Sequence, residues 1–288
     1  CLIQLAEMEE VKKITYVFGF GRKDKLDKKD YSDEFFYGYK HFRDSGYDVS
    51  LIEFETVENT KLIFFDKIIR KFLKLPSYTS NITSKKNLNI IKESEVIIFS
   101  TERTYLGSYL MYKKATKKED TKKIAMFVMG LFSKLSNKPF LLNIQKKILL
   151  RILGRLDTIF FLGRGEMNAA EKIFPELKKK FYFLPFVVNK EFWEIQNVPE
   201  LQERPNILFI GNDGNREYSK VIKIAEMMQS VNFTFITENI DKNEIISKNV
   251  NLISGHWNKS RLTDKDMIDY YDSAKLTIIP LRESLQPS

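Results

Sequence analysis

The stretch NILFIGNDGNREYSKVIKIAEMM, residues 206–228, changes its hydrophobic period halfway along. Residues 207–210 form a continuous run of β-formers, which is typical of a strand buried on both faces. After Gly211 and Gly214, apolar residues recur at helical spacing from Tyr218 onward, so one stripe of this helix faces a core. The stretch therefore predicts a strand, a glycine-containing turn and a helix.

The turn between this strand and helix predicts an anion-binding site. The first amides of a helix have no partner within the helix, and with the helix dipole behind them they attract anions such as phosphate. Arg216 and Lys220 would add two positive charges there, and Gly211 and Gly214 would let the backbone approach an anion closely. The alternative is an ordinary corner between a strand and a helix, in which Asn and Gly serve turn geometry alone.

Strand and helix patterns alternate along the whole chain. The strand patterns lie at residues 14–21, 47–55, 94–101, 122–132, 156–163, 181–189, 207–210, 232–238, 250–255 and 275–281. This alternation is typical of parallel sheets covered by helices. A polar segment with Pro199 and Pro205 divides the chain, so we predict a first domain over 1–195, a linker over 196–205 and a second domain over 206–288. The expected fold class is α/β, with two Rossmann-like, doubly wound domains that face a cleft.

Composition limits the class of protein. The 288 residues are 43% hydrophobic, enough to bury two cores of ordinary size. The single cysteine, Cys1, excludes a disulfide framework and a cysteine-based zinc site, and indicates a reducing compartment. The longest apolar stretch, residues 124–132, is much shorter than the roughly 18 residues needed to span a bilayer. Because the chain does not begin with Met and stops at Ser288 within its pattern, we interpret it as a fragment with a truncated second domain.

The net charge of +9 is concentrated in the first part of the chain. Residues 1–199 hold 36 basic and 25 acidic residues, whereas residues 200–288 hold 11 and 13. Nucleic acid is disfavoured as a partner, because the lysines of 113–123 are interleaved with acids and no nucleic-acid motif occurs. Residues 61–76 and 140–156 combine an apolar side with basic flanks, as do helices that lie in the headgroup layer of an anionic membrane. Packing of both helices against the core is the alternative.

The later part of the chain resembles a known family in the order of its motifs, which are IGNDGNREY, FTFITE, VNLISGHW, DMIDYYDSAKLTIIPL and SLQPS. Together they resemble the nucleotide-sugar domain of GT-B glycosyltransferases, in particular retaining family 4. The segment FYFLPFVVNKEFW at 181–193 is similar to the transition between domains in that family.

This resemblance implies an activity. It implies transfer of a sugar from a nucleotide-diphosphate sugar to a hydroxyl of a glycan or lipid-linked acceptor, with retention at the anomeric carbon. The nucleotide-sugar donor is a co-substrate, and neither a metal nor a further cofactor is implied. We expect a cytoplasmic protein in peripheral contact with an anionic membrane.

The resemblance also implies site residues. In the family, an Arg and a Lys after the first strand of the second domain stabilise the leaving diphosphate, and Arg216 and Lys220 match them here. The remaining predicted binding positions are Gly211, Asn212, Gly214, Thr237, Glu238, His256, Leu281, Ser284, Gln286 and Ser288, together with Gly19 and Gly21 of the first domain.

Two positions depart from the family pattern. Gln286 stands where the acidic motif of the family begins with Glu, and a Gln can hydrogen-bond a sugar hydroxyl but carries no charge. Family members often have a His after the fourth strand, where this chain has Met129. Glu102, which follows a strand end, is therefore the candidate catalytic carboxylate of the first domain, with a solvated loop acid as the alternative.

Other functions are weighed by their motifs. A nicotinamide-dependent oxidoreductase would need G-x-G-x-x-G after a strand, and both GFGRKD and GRGEMN lack the third glycine. The chain contains no G-x-x-x-x-G-K-[ST] motif, which disfavours an NTPase. Two alternatives stay open, a sugar-nucleotide epimerase of the same fold and a catalytically inactive binding module of the GT-B type.

Overall fold

The computed structural model describes residues 13–56, 60–116, 122–194, 206–255 and 262–282. These residues form two compact α/β units, which divide between Val187 and Val188, with residues 27–32 grouped with the second unit. Both sheets are parallel throughout. The predicted α/β class with two Rossmann-like units is therefore confirmed. The predicted linker 196–205 lies outside the described residues.

The first unit contains six strands and the helices that connect them. The strands are β1 Lys13–Phe18, β2 Asp48–Glu53, β3 Val96–Phe99, β4 Lys123–Val128, β5 Thr158–Phe161 and β6 Phe181–Phe183. The helices are α1 Tyr39–Asp44, α2 Thr60–Ile68, α3 Lys85–Glu93, α4 Glu102–Ala115, α5 Pro139–Leu153 and α6 Arg164–Ile173. The strands pair in the order β2-β1-β3-β4-β5-β6. Because β2 and β3 are added on opposite sides of β1, the topological switch point of this sheet lies between β1 and β3. Sheets of this type bind ligands at their switch point.

Apolar side chains cover both faces of the first sheet. Val17 and Phe99 point into a core formed with α3, α4, α5 and α6, whereas Tyr16 and Phe18 point to the opposite side, into a core that includes α1. Successive residues of a strand face opposite sides of its sheet, so the strand must be apolar on both faces. The unbroken apolar runs of the sequence arise from this two-sided burial.

Three helices of the first unit have well-defined ends. Helix α4 begins at Glu102, because Thr101 and Thr104 cap it reciprocally. Helix α2 continues as a π-helical turn over Ile69–Leu73 and stops at Lys74, whose φ of 51° is left-handed. Helix α3 was not among the sequence-based predictions, although its N-cap Ser84 accepts a hydrogen bond from the Asn87 amide.

The second unit contains four strands and three helices within the described residues. They are α7 Lys190–Trp193, β7 Asn206–Ile210, α8 Tyr218–Met227, β8 Asn232–Ile236, β9 Val250–Ile253, α9 Asp264–Ser273 and β10 Ala274–Ile278. The strands pair in the order β10-β7-β8-β9. Phe209, Phe233 and Phe235 pack with Val221 and Ala225 of α8 on one side of the sheet. Because the chain builds outward from β7 in both directions, the topological switch point of this sheet lies between β7 and β10.

No helix in the described part of the chain is long and apolar enough to cross a lipid bilayer.

Candidate functional site

The loop that follows β7, residues 211–217, lies at the switch point of the second sheet. Its backbone is paired with the segment that follows β10. The Glu217 amide donates to the Pro280 carbonyl over 2.9 Å, and the Arg282 amide donates to the Asn215 carbonyl over 2.7 Å. Arg216 and Leu281 form an antiparallel β-bridge between these contacts. The loop is therefore held by residues more than sixty positions later in the chain.

Arg216 is turned into this loop. Its side chain is 12% exposed, and its Nε lies 3.3 Å from Oδ2 of Asp213. Nε and Nη1 are buried and make no hydrogen bond to the described residues. A buried polar group without a hydrogen bond is costly, so these two nitrogens are suited to an anion that supplies the missing acceptors.

Gly211 makes room for this guanidinium. A Cβ atom at this position would lie 2.6 Å from Nε of Arg216 and 3.0 Å from its Cγ. Any other residue at position 211 would therefore require the arginine side chain to shift. Gly214 differs, because a Cβ atom there would meet nothing within 4 Å.

Lys220 has a different placement from Arg216. Its side chain is 65% exposed, and its Nζ lies 3.5 Å from Oε1 of Glu217 in the same helical turn. The structure therefore places Arg216 inside the loop and Lys220 at the solvent-facing start of α8. The phosphate-binding role predicted for each of them stays a prediction.

Asn212 joins the ends of three neighbouring strands. Its Oδ1 accepts hydrogen bonds from the Glu238 amide at 2.6 Å and from Thr237 Oγ1 at 3.1 Å. Its Nδ2 donates to the Gly255 carbonyl at 2.7 Å. Three predicted binding residues, Asn212, Thr237 and Glu238, thus meet at the carboxyl edge of β7, β8 and β9. Gly255 must be glycine here, because a Cβ atom would collide with the side chain of Ile236.

Two side chains that the sequence reasoning did not assign to the site complete this edge. The Tyr218 hydroxyl donates to the Asp213 carbonyl at 2.7 Å and accepts from Asn239 Nδ2 at 2.8 Å. Ser254 Oγ donates to Oε1 of Glu238. Glu238 itself is exposed, so its carboxylate can accept hydrogen bonds from ligand hydroxyls.

Two carboxylates of the first unit hold the loop that follows β4. Glu102 is 3% exposed, and its Oε2 accepts the Met129 amide at 2.9 Å. Glu166 accepts the amides of Gly130 and Phe132, each at 3.0 Å. The sequence predicts either a catalytic base or a solvated loop acid at Glu102. The carboxylate is buried and hydrogen-bonded, so the prediction of a solvated acid is wrong.

Glu166 was missed because GRGEMN was considered only as a glycine motif. The available signal was an acidic residue in the first turn of a helix that follows a strand. The pKa of Glu166 is raised from 4.5 to about 7. Burial is the largest cause and the nearby Glu102 adds to it, whereas the two amides and Lys134 oppose this shift. The two carboxylates therefore bind consecutive amides of the loop from Met129 to Phe132.

The loop after β1 contains the two predicted glycines of the first unit. Gly21 has a φ of 80°, which favours glycine, whereas Gly19 has open space around it. The amides of Arg22 and Lys23 both donate to Oε1 of Glu53, the latter over 2.9 Å. The carboxylate at the end of β2 therefore occupies the amides that a phosphate would otherwise bind.

The other predicted positions are quickly placed. Leu281 is 45% exposed and pairs with Arg216 as described above. His256, Ser284, Gln286 and Ser288 lie outside the described residues. Within the described ranges, no group of three or more His, Cys, Asp or Glu side chains is arranged to hold a metal ion.

Comparisons with known proteins identify structural relatives. No protein-family model and no curated protein matches the chain. An apo structure of OtsA is similar with a TM-score of 0.56 and 10% identity, over 94% of this chain and 79% of OtsA. Anabaena HepE in complex with UDP and glucose is similar with a TM-score of 0.55 and 8% identity, over 94% of this chain and 74% of HepE. An alpha-glucosyltransferase in complex with UDP-glucose and DNA containing an abasic site is similar with a TM-score of 0.54 and 10% identity, over 92% of this chain and 71% of that one. At these identities the likeness concerns the fold alone. The chain has the Rossmann-like α/β fold of GT-B glycosyltransferases.

Proposed function

We propose that this chain is part of a glycosyltransferase that moves a sugar from a nucleotide-diphosphate sugar to a hydroxyl of a glycan or lipid-linked acceptor. The observation that carries the proposal is the buried guanidinium of Arg216. It lies at the switch point of the second sheet, and two of its nitrogens make no hydrogen bond to the described residues. A site of this kind fits a diphosphate, because an anion would supply both acceptors and charge.

The reaction requires stabilisation of the leaving diphosphate as its negative charge grows. Groups that are already in position do this best, because they need no rearrangement in the transition state. Gly211 and the backbone pairing of residues 215 and 217 hold Arg216 in position. We therefore assign stabilisation of the leaving diphosphate to Arg216. Lys220 would contribute by turning from Glu217 toward the diphosphate when the donor binds.

The nucleoside would lie along the edge made by Asn212, Thr237 and Glu238. The exposed carboxylate of Glu238 would accept hydrogen bonds from ribose hydroxyls. Two of the similar structures are complexes with UDP or UDP-glucose, which makes uridine nucleotides the first donors to test. Retention at the anomeric carbon, membership of family 4, independence from metal and a cytoplasmic location at an anionic membrane belong to the same proposal.

The test is calorimetric titration of the full chain with UDP, ADP and GDP. We expect at least one nucleotide to bind, and Arg216→Ala to bind it roughly tenfold or more weakly, because a hydrogen bond to a charged group is worth about 1.5–3 kcal/mol. Lys223→Ala is the matched control, since Lys223 is an exposed cation of the same helix. Equal affinity of the Arg216 variant and the control would contradict the assignment.

A catalytically inactive binding module of the same fold is the second candidate. It is favoured by Glu102, whose carboxylate is buried and accepts the Met129 amide rather than standing free as a base. Donor hydrolysis separates the two functions. Release of free sugar from the bound nucleotide-sugar, lost in Arg216→Ala, supports the transferase, whereas tight nucleotide binding without hydrolysis or transfer supports the module.

A further inference from the structure

The helix α2 and its π-helical continuation carry large apolar side chains on their outer side. Phe64 and Phe72 are 65% and 64% exposed, and Phe65 and Ile68 are also exposed. Phe64, Ile68 and Phe72 follow one another at intervals of four residues, so they form one line along the helix. Contiguous exposed apolar patches on soluble domains mark interaction sites.

The orientation of this helix is set from its inner side. Asp66 is fully buried, and its carboxylate accepts hydrogen bonds from the Ser77 hydroxyl, the Thr79 amide, and both the amide and hydroxyl of Ser80, at 2.6–3.0 Å. A rotation of the helix that buried Phe64 or Phe72 would break this arrangement and leave a charge uncompensated. The apolar line therefore faces outward as a consequence of how Asp66 is bound.

The apolar surface extends to two neighbouring helices. A cavity of about 200 Å³ opens beside α2, and α4 and α5 provide its other walls. Its lining includes Phe65, Leu73, Leu106, Leu110, Ile148 and Ile152. Leu110 on its rim is 50% exposed, and Phe140 at the start of α5 is 80% exposed. We call the outer surface of α2, its π-helical turn, α4 and α5 the three-helix face.

The charge of the three-helix face has one sign. Residues 60–73, 102–115 and 139–153 contain ten Lys and Arg residues and two acids, Asp66 and Glu102. Both acids are buried, at 0% and 3% exposure. The exposed charges of these helices are therefore positive. A second copy of the chain is a poor partner, because two copies of the same face would bring like charges together.

We propose that the three-helix face docks on the surface of a lipid bilayer rich in anionic lipids. Phe64 and Phe72 enter the boundary between headgroups and acyl chains, and lysines such as Lys67 and Lys71 contact the headgroups. An apolar face flanked by basic side chains binds such a surface through burial of apolar area together with electrostatic attraction. This inference names the surface of the membrane contact that belongs to the proposed function, and its test does not depend on nucleotide binding.

The test is sedimentation of the full chain with vesicles of pure phosphatidylcholine and with vesicles of equal parts phosphatidylcholine and phosphatidylglycerol. We expect binding to the anionic vesicles only, weakened at high salt. Phe64→Ser/Phe72→Ser and Lys67→Glu/Lys71→Glu should each reduce this binding roughly tenfold or more. Circular dichroism should show the folded state for both variants, since the four side chains are exposed.

Matched controls come from the second unit. Met227→Ser/Ile246→Ser removes two exposed apolar side chains, and Lys223→Glu/Lys275→Glu reverses two exposed charges. Both should bind the anionic vesicles as the wild type does. Failure of the wild type to bind either vesicle overturns the proposal, and so does an equal effect of the controls. Concentration-dependent dimers that Phe64→Ser/Phe72→Ser abolishes, without vesicle binding, would assign the face to a second copy instead.

Discussion

At the scale of single residues, the placement of Arg216 in the loop after β7 depends on Gly211. The arginine can stay inside the loop because the glycine lacks a Cβ atom. Backbone contacts with Pro280 and Arg282 keep the intervening residues in place. With a larger residue at position 211, the loop would still contain Arg216, but the arginine side chain would have to shift from its present position.

Gly211→Ala tests this pair. The new methyl group would lie 2.6 Å from Nε of Arg216, so the arginine side chain must shift away from it, and nucleotide affinity should fall toward that of Arg216→Ala. In the double variant the two losses should not add, because both remove the same interaction. Lys223→Ala, the control of the calorimetric titration, should bind nucleotide normally, and Gly214→Ala should leave Arg216 in place, since a Cβ atom at position 214 meets nothing within 4 Å. Additive losses would show that Gly211 acts independently of Arg216.

Glu166 predicts a pH-dependent stability. Burial raises its folded-state pKa to about 7 from 4.5, so the folded state holds a proton that the unfolded state releases. Its contribution to stability is complete below pH 4.5 and is lost as the pH rises through about 7, a change of about 3 kcal/mol.

Urea unfolding at pH 5 and pH 8 checks this dependence. Glu166→Gln should remove most of the difference between the two pH values that the wild type shows, because an amide has no proton to lose. Glu176→Gln, at an exposed carboxylate, should keep the wild-type difference. An unchanged difference in Glu166→Gln would mean that another group titrates.

At the scale of elements, α2 illustrates how one acid orients a helix. Leu62, Asp66, Ile69 and Leu73 recur at helical spacing, so Asp66 lies where a core residue is expected. The sequence predicts that residues 61–76 form a helix with an apolar side and basic flanks, and it predicts no role for Asp66. The signal was a lone acid among four Lys and Arg residues in 60–73. Only the positions of Ser77, Thr79 and Ser80 explain it.

Asp66→Ala should destabilise the protein by about 3 kcal/mol or more, because the Thr79 and Ser80 amides would be left buried without acceptors. Burial raises the pKa of Asp66, but the hydrogen bonds from Ser77, Ser80 and Thr79 outweigh it and lower that pKa below 3.8. This contribution to stability is therefore present above pH 3.8 and is lost as the pH falls through the lowered value.

Urea unfolding at neutral pH measures the effect of Asp66→Ala. Asp44→Ala is the matched control, because the Asp44 side chain is 67% exposed, and it should change the stability by less than about 1 kcal/mol. A similar loss in both variants would contradict the assigned role of Asp66. In the vesicle experiment, Asp66→Ala should also weaken binding, since the three-helix face loses its fixed orientation.

At the scale of the whole molecule, two parallel sheets place loops with different tasks at their carboxyl edges. In the second unit the switch-point loop holds Arg216, of which two buried nitrogens make no hydrogen bond to the described residues. In the first unit, carboxylates bind the corresponding amides, Glu53 after β1 and Glu102 with Glu166 after β4. An anionic ligand is therefore expected in the second unit rather than in these loops of the first.

The sequence by itself determined the order and type of the strands and the two-unit α/β architecture. Each apolar run and each change of period is local, and a strand buried on both faces needs nothing more to be recognised. The resemblance to a known family also placed Asn212, Thr237 and Glu238 in one predicted set, and the structure brings them together where neighbouring parallel strands end.

Only the tertiary structure decided which charged side chains are buried and which are exposed. Arg216 and Lys220 are four residues apart and equally charged, yet one is buried in the loop and the other is exposed. The difference arises from Leu281 and Pro280, which follow the neighbouring strand β10 and pair with the loop. The direction of a side chain depends on neighbours distant in sequence, whereas the period of a strand or helix depends on neighbours close by.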